Sequence, residues 1–279
     1  MNKENYIKIK EVLEEFLKEY KYEILLGLII IGVIIYKIYN KYFNELIHIS
    51  PKNKVILITQ YYEPNNEERK VEIKDCLINN SKNKLIDEIH LFVEKDYDFS
   101  FVNLDKIKLI HTDKQLSFKR SFDYSNDNFD NQHIIILANS DIYFNNTLVK
   151  IHDLNYDKTF YALSRHDLDK NGNFKLIPTT YKSQDVWIWK TPIRVIRNKI
   201  NETDFFEEND GIVLGIGSCD NRIVKIMKET GYNVKNIGNK IHCIHNHKNN
   251  YRTWLTNPIQ KKMEKKYVEN GTERLPIEK

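Results

Sequence analysis

Cysteine is scarce in this chain. Three in 279 residues, Cys76, Cys219 and Cys243, make an odd number with no CxxC spacing. That excludes a disulfide framework and a thiolate zinc site, and leaves the three as small buried residues. No charge of one sign dominates either: 43 basic residues face 39 acidic ones, for a net charge of +4 spread along the sequence. Without a basic stripe there is no electrostatic footprint for nucleic acid, so no nucleic-acid partner is expected. No internal repeat is present, and 41% hydrophobic content suffices for one sizeable domain with its own core.

One uncharged apolar run interrupts a polar N-terminus. Ile24 to Tyr36 is dominated by Ile and Leu, with Tyr20, Lys21, Tyr22 and Glu23 before it and Lys37, Tyr39, Lys41 and Tyr42 after it. Tyrosines and lysines at both ends suit an interfacial belt with snorkelling ammonium groups. The uncharged part is shorter than the roughly 20 residues of a bilayer span, and snorkelling of Lys37 extends the usable helix to Phe43. A cleaved signal peptide fits worse, because Glu11, Glu14, Glu15 and Glu19 precede the run and no small-residue cleavage site follows. The expectation is a single-pass N-terminal membrane anchor at 24–43, with a buried or interfacial helix as the alternative. Before it, Val12, Leu13, Phe16, Leu17 and Tyr20 recur at helical spacing, so 1–23 reads as an amphipathic helix. Residues 44–53, with Pro51, form a linker.

From Lys54 the pattern changes. Lys54 to Thr59, Ile86 to Val93 and Ile107 to His111 read as strands by their β-branched content, and a helical period runs from Asn66 to Asn80 through Val71, Ile73, Cys76, Leu77 and Ile78. Alternating strands and helices imply an α/β domain with a Rossmann-like, mostly parallel central sheet flanked by helices, assigned to 54–255, with 256–279 as a C-terminal tail. Its centre is Ile134-Ile135-Ile136-Leu137-Ala138, followed by Asn139-Ser140-Asp141. Such a brief apolar run is a buried strand that presents Asp141 at its carboxyl edge, where open α/β sheets bind ligands. A lone carboxylate beside Asn139 and Ser140 is the hard-oxygen chemistry preferred by a divalent cation on a diphosphate.

The second half carries three further polar groups. Ser183-Gln184-Asp185-Val186-Trp187 puts a carboxylate beside an indole, which suits either a hydrogen-bonded strand start or a grip on a sugar ring. Gly215-Ile216-Gly217-Ser218-Cys219-Asp220 introduces a helix, so Asp220 is either an N-cap or a general base placed beside a closely approaching substrate. His242, His245 and His247 lie in one short stretch before Arg252. On a strand His245 and His247 share a face, and a neutral imidazole there can complete a metal site opened by Asp141.

Taken in order, these motifs resemble a family. Asn139-Ser140-Asp141 is similar to the DxD-type motif of nucleotide-sugar glycosyltransferases with the GT-A fold, with Asn in place of the first Asp. The whole chain from Val55 to Arg252 resembles a little-characterised group of such enzymes. The likeness runs through Thr59-Gln60-Tyr61-Tyr62, Arg69-x-x-Glu72-x-x-x-Cys76-Leu77, Arg120 to Tyr124, Asn139 to Phe144, Ser183 to Trp187, Gly217 to Arg222 and the histidine cluster. No single motif is specific; their order is.

The resemblance implies glycosyl transfer, hexosyl or related, from a nucleotide-sugar donor, UDP-sugar favoured, to a glycan, lipid or protein acceptor, assisted by Mn or Mg. It implies that Asp141 with His245 or His247 holds the metal. Gln60, Tyr61, Arg120, Asn139, Ser140, Asp185, Trp187 and Arg252 would line the nucleotide-sugar site, and Asp220 would be the catalytic base of an inverting reaction. Two other classes stay open. One is a non-catalytic sugar- or nucleotide-binding module on the same fold. The other is a metal-dependent phosphoesterase, which needs a second metal about 4 Å from the first; the sequence offers no compact second carboxylate cluster for it.

Overall fold

The computed structural model describes residues 3–22, 27, 30–39, 53–130, 132–169, 171–195, 211–247 and 257–278. The chain divides into two units, Met1–Lys52 and Asn53–Lys279. The first contains α1 (Lys3–Glu19), whose Val12, Leu13, Phe16 and Leu17 are exposed, and further helical residues at 30–39.

Among the described residues no helix is long and apolar enough to cross a membrane. This corrects the expected anchor at 24–43, and with it the membrane localisation and membrane partner. Within that stretch the described residues, 27 and 30–39, are helical. The remainder of the expected span, and the linker up to residue 52, lie outside the described residues.

The second unit runs β1 (Val55–Tyr61), α2 (Glu67–Lys82), β2 (Glu88–Val93), β3 (Ile107–His111), α3 (Phe118–Asn128), β4 (Ile134–Ala138) and β5 (Ile142–Phe144). After a 3-10 segment (Asn146–Asp153) come β6 (Thr159–Leu163), β7 (His166–Leu168), β8 (Phe174–Leu176), β9 (Val186–Lys190), α4 (Cys219–Glu229), β10 (Asn233–Lys235), β11 (Cys243–His245) and α5 (Pro258–Glu269). Seven strands form one sheet in the order β10-β6-β9-β4-β1-β2-β3, and only β9 runs antiparallel to its neighbours. The expected mixed α/β architecture with a mostly parallel central sheet is therefore present.

β4 is buried at all five positions, as its unbroken apolar run requires of a strand covered on both faces. Alternate residues of β1 and β4 feed two core layers. Ile56, Ile58, Ile135 and Leu137 pack with α3 and α4 on one face, and Leu57, Ile134 and Ile136 pack with Ile73 and Leu77 of α2 on the other. The three cysteines are buried and free, as read from their spacing. The stretch set apart in sequence as a tail carries α5, whose Tyr267 enters the first core layer and accepts a hydrogen bond from Val213 N at 3.0 Å.

A second, four-stranded sheet in the order β5-β11-β7-β8 starts where β4 ends. Its antiparallel β11–β5 pairing sets His245 opposite Ile142, the residue after Asp141. That register, more than any local motif, builds the site.

Candidate active site

Asp141 closes the turn between β4 and β5, which Ile142 N holds by donating to Asn139 O at 3.2 Å. Its own carbonyl accepts from Asn246 N at 2.9 Å, tying it to the end of β11. The side chain is buried, and its Oδ2 receives the Arg69 guanidinium, lies 3.0 Å from His245 Nε2 and 3.6 Å from His247 Nδ1. Burial opposes the charge on Asp141, yet the His245 and Arg69 charges prevail and hold its carboxyl well below the usual carboxylate range. Burial likewise works against a charged His245, but Asp141 and Asp167 raise it above the ordinary histidine value.

The residues present fit a divalent metal. One ligand atom from each of Asp141, His245 and His247 lies within 4.8 Å of the others. Both ring nitrogens of His247 are buried without a hydrogen-bond partner, a costly arrangement for an imidazole that binds nothing. His245 Nδ1 is meanwhile engaged by Asp167 Oδ1 at 2.9 Å, the second contact by which metal-binding histidines are oriented. One carboxylate with two imidazoles suits Mn better than Mg, which prefers an all-oxygen shell.

The triad opens into a cavity of about 570 Å³ that is also lined by Gln60, Asn139, Ser140, Asp185 and Asp220. Asp220 sits in the first turn of α4. The cap position belongs to Ser218, held at φ 65° with no side-chain cap bond, so Asp220 is not the helix cap. Its Oδ2 accepts from Gln184 N at 3.0 Å and its Oδ1 from Asn221 N at 2.9 Å. Burial, partly offset by those amides and reinforced by the Asp185 charge, pushes its carboxyl up to about 6. A carboxylate buried in a cavity wall and titrating near neutrality is equipped to take a proton. A Cβ at Gly217 would meet the end of the Glu264 side chain.

Asp185 joins the two halves. Its Oδ1 accepts from Asn139 Nδ2 and its Oδ2 from Arg165 Nη1, each at 2.9 Å, while Arg165 Nε donates to Asp167 Oδ1 at 2.8 Å. Polar contacts thus run continuously from Glu72 through Arg69, Asp141, His245, Asp167, Arg165 and Asp185 to Asn139. Asn139 spends its amide on Asp185.

Three expected site residues do not reach the cavity. Tyr61 follows Gln60 on β1 and so points to the other face, where it packs with Tyr97 and Phe99 at 5.1 Å each. Trp187 is fully buried against Phe118, so its indole is not available to a sugar. Arg120 lies on α3, bonded to Thr112 Oγ1 and, at 3.1 Å, to Lys114 O, outside the cavity lining. Arg252 lies outside the described residues. Gln60 does line the cavity, accepting from Leu116 N at 2.7 Å and donating to Glu94 Oε1 at 2.6 Å.

Sequence reasoning gave no site role to Arg69, Arg165 or Asp167. Arg69 and Glu72 left a trace, a charged pair three apart on the buried face of a helix. Asp167 left none, since His166-Asp167-Leu168-Asp169 reads as an ordinary polar edge strand.

The chain matches no protein-family model, and no curated protein is similar to it at a significant level. Solved structures similar in fold include the mannosyltransferase PcManGT from Pyrobaculum calidifontis in complex with GDP-Man and Mn2+, at 11% identity and TM-score 0.46, covering 80% of this chain and 66% of that one. S. aureus TarS 1–349 is 10% identical at TM-score 0.41 over 78% and 69% of the two chains. The 4-diphosphocytidyl-2C-methyl-D-erythritol synthase from Anaerococcus prevotii is 12% identical at TM-score 0.40 over 78% and 96%. Likenesses this distant carry neither substrate nor residue roles to this chain.

Proposed function

We propose that this chain is a GT-A-type glycosyltransferase that moves a sugar from a nucleotide-sugar donor to an acceptor hydroxyl with inversion at the anomeric carbon. The observation that carries the reading is one cavity holding an Asp141–His245–His247 triad on one wall and Asp220, raised to about 6, on another. Asp141, His245 and His247 would hold a divalent cation, Mn before Mg, whose positive charge would be available to a departing diphosphate. Asp220 would take the proton of the acceptor hydroxyl as its oxygen attacks the anomeric carbon. The part-buried Arg165–Asp185 pair would fix the shape of the cavity between these walls. Among the described residues Asp141, His245 and His247 form the one group that could hold a metal, which favours transfer over a two-metal phosphoesterase.

The test is a screen of UDP, GDP, CMP and dTDP sugars against the full-length chain, with and without Mn, repeated with Asp141→Ala. Metal-dependent turnover of one donor, lost in the variant, supports the proposal and names the base. Binding without turnover, with or without an acceptor, would instead support a binding module. No nucleotide bound under any metal would sink the reading.

A further inference from the structure

Arg69 bears on that metal site and rests on the reading just given. Its guanidinium is buried, donates through Nη1 to Glu72 Oε2 at 3.1 Å, and through Nη2 takes the same Asp141 oxygen that faces both histidines. It also lines the cavity, so a ligand there is within its reach. A cation drawn to Asp141 Oδ2 would stand against a guanidinium of like charge on the carboxylate it needs, and moving Arg69 away without another anion would leave a buried positive charge unpaired. A diphosphate removes both obstacles. It offers arginine a two-point anionic partner and the metal additional oxygen ligands.

We infer that Arg69 guards Asp141 against metal alone, so that a divalent cation and a diphosphate enter the site as a pair, Arg69 exchanging the carboxylate for the diphosphate. The metal site is therefore a coincidence site: free metal is held weakly, and the diphosphate of the donor completes it.

Mn2+ binding to the full-length chain, followed by the electron paramagnetic resonance of Mn2+ with and without inorganic pyrophosphate and corrected by a protein-free titration for the complex that the two form in solution, reads this. The variants are Arg69→Gln/Glu72→Gln, which removes the pair without stranding a buried charge, and Arg69→Lys, which keeps the charge but loses the fork. Wild type is expected to bind Mn2+ about 10-fold or more tightly when pyrophosphate is present. The double variant is expected to bind Mn2+ alone about 5-fold more tightly than wild type and to lose most of the pyrophosphate effect, with Arg69→Lys in between. Equal Mn2+ affinity of wild type with and without pyrophosphate overturns the inference, as does an undiminished effect in both variants. If wild type takes up no Mn2+ under either condition, the metal-assisted reading falls too; if coupling is present but indifferent to Arg69, only the present inference falls.

Discussion

Asp167 accepts from His245 Nδ1 at 2.9 Å, and this leaves Nε2 of the same ring facing Asp141 Oδ2 at 3.0 Å. Neither residue belongs to the strand that delivers Asp141, yet β7 and β11 lie side by side with Asp167 and His245 in register. The imidazole is thereby oriented for whatever occupies the triad.

Removing that orientation while keeping the shape should weaken metal rather than unfold the chain. Asp167→Asn is expected to lower Mn2+ affinity measured with a diphosphate by about 10- to 100-fold, the usual cost of losing such a contact, with an unchanged circular dichroism spectrum. Unaltered Mn2+ affinity would show that Asp167 only pairs with Arg165.

Asp220 makes two pH predictions of opposite sign. As a base it must be ionised, so turnover should rise with pH through about 6 and level off above, and Asp220→Asn should cost about 10²- to 10⁴-fold in kcat. Its folded value lies above the unfolded 3.8, so its contribution to stability is fully present below about pH 4 and lost as pH rises through about 6. At pH 7 Asp220→Asn should thus be more stable than wild type by on the order of 3 kcal/mol or less, and the gap should close on acidification. Urea midpoints of both proteins across pH 4–8 decide it; parallel curves would remove Asp220 from the role of buried base.

Metal should stabilise the fold through its site. Mn2+ with pyrophosphate at 100 times its dissociation constant adds about 2.7 kcal/mol, and thus a rise of several degrees in Tm. His247→Ala should abolish most of that rise with little loss of stability in metal-free buffer, because the ring makes no hydrogen bond there. A full rise in the variant would exclude His247 as a ligand.

Trp187 should matter to folding and not to sugar. It is fully buried beside Phe118, with ring centroids 4.6 Å apart and planes at 86°. Trp187→Ala is expected to cost about 3–5 kcal/mol in urea denaturation. Trp187→Phe should cost less and leave donor KM within about two-fold, since the cavity wall does not contain the indole.

Much of this was legible in the sequence because it is local. The unbroken apolar run of β4 dictates a strand covered on both faces, so Asp141 falls at a carboxyl edge whatever surrounds it. The alternation of short strands with helical periods dictates a mostly parallel sheet, and the scarce, unpatterned cysteines dictate buried thiols. Tertiary structure decided the rest. Tyr61 and Trp187 carry chemistry suited to a ligand, but strand parity turns one from the cavity and core packing encloses the other. Asp220 comes beside Asp185 because the segment leading into β9, which runs antiparallel beside β4, hands it the Gln184 amide. Arg69, Asp167 and His245 lie on α2, β7 and β11, far apart along the chain, and no sequence period links them. What joins them is the electrostatics of a buried carboxylate, which requires partners from wherever the fold can bring them.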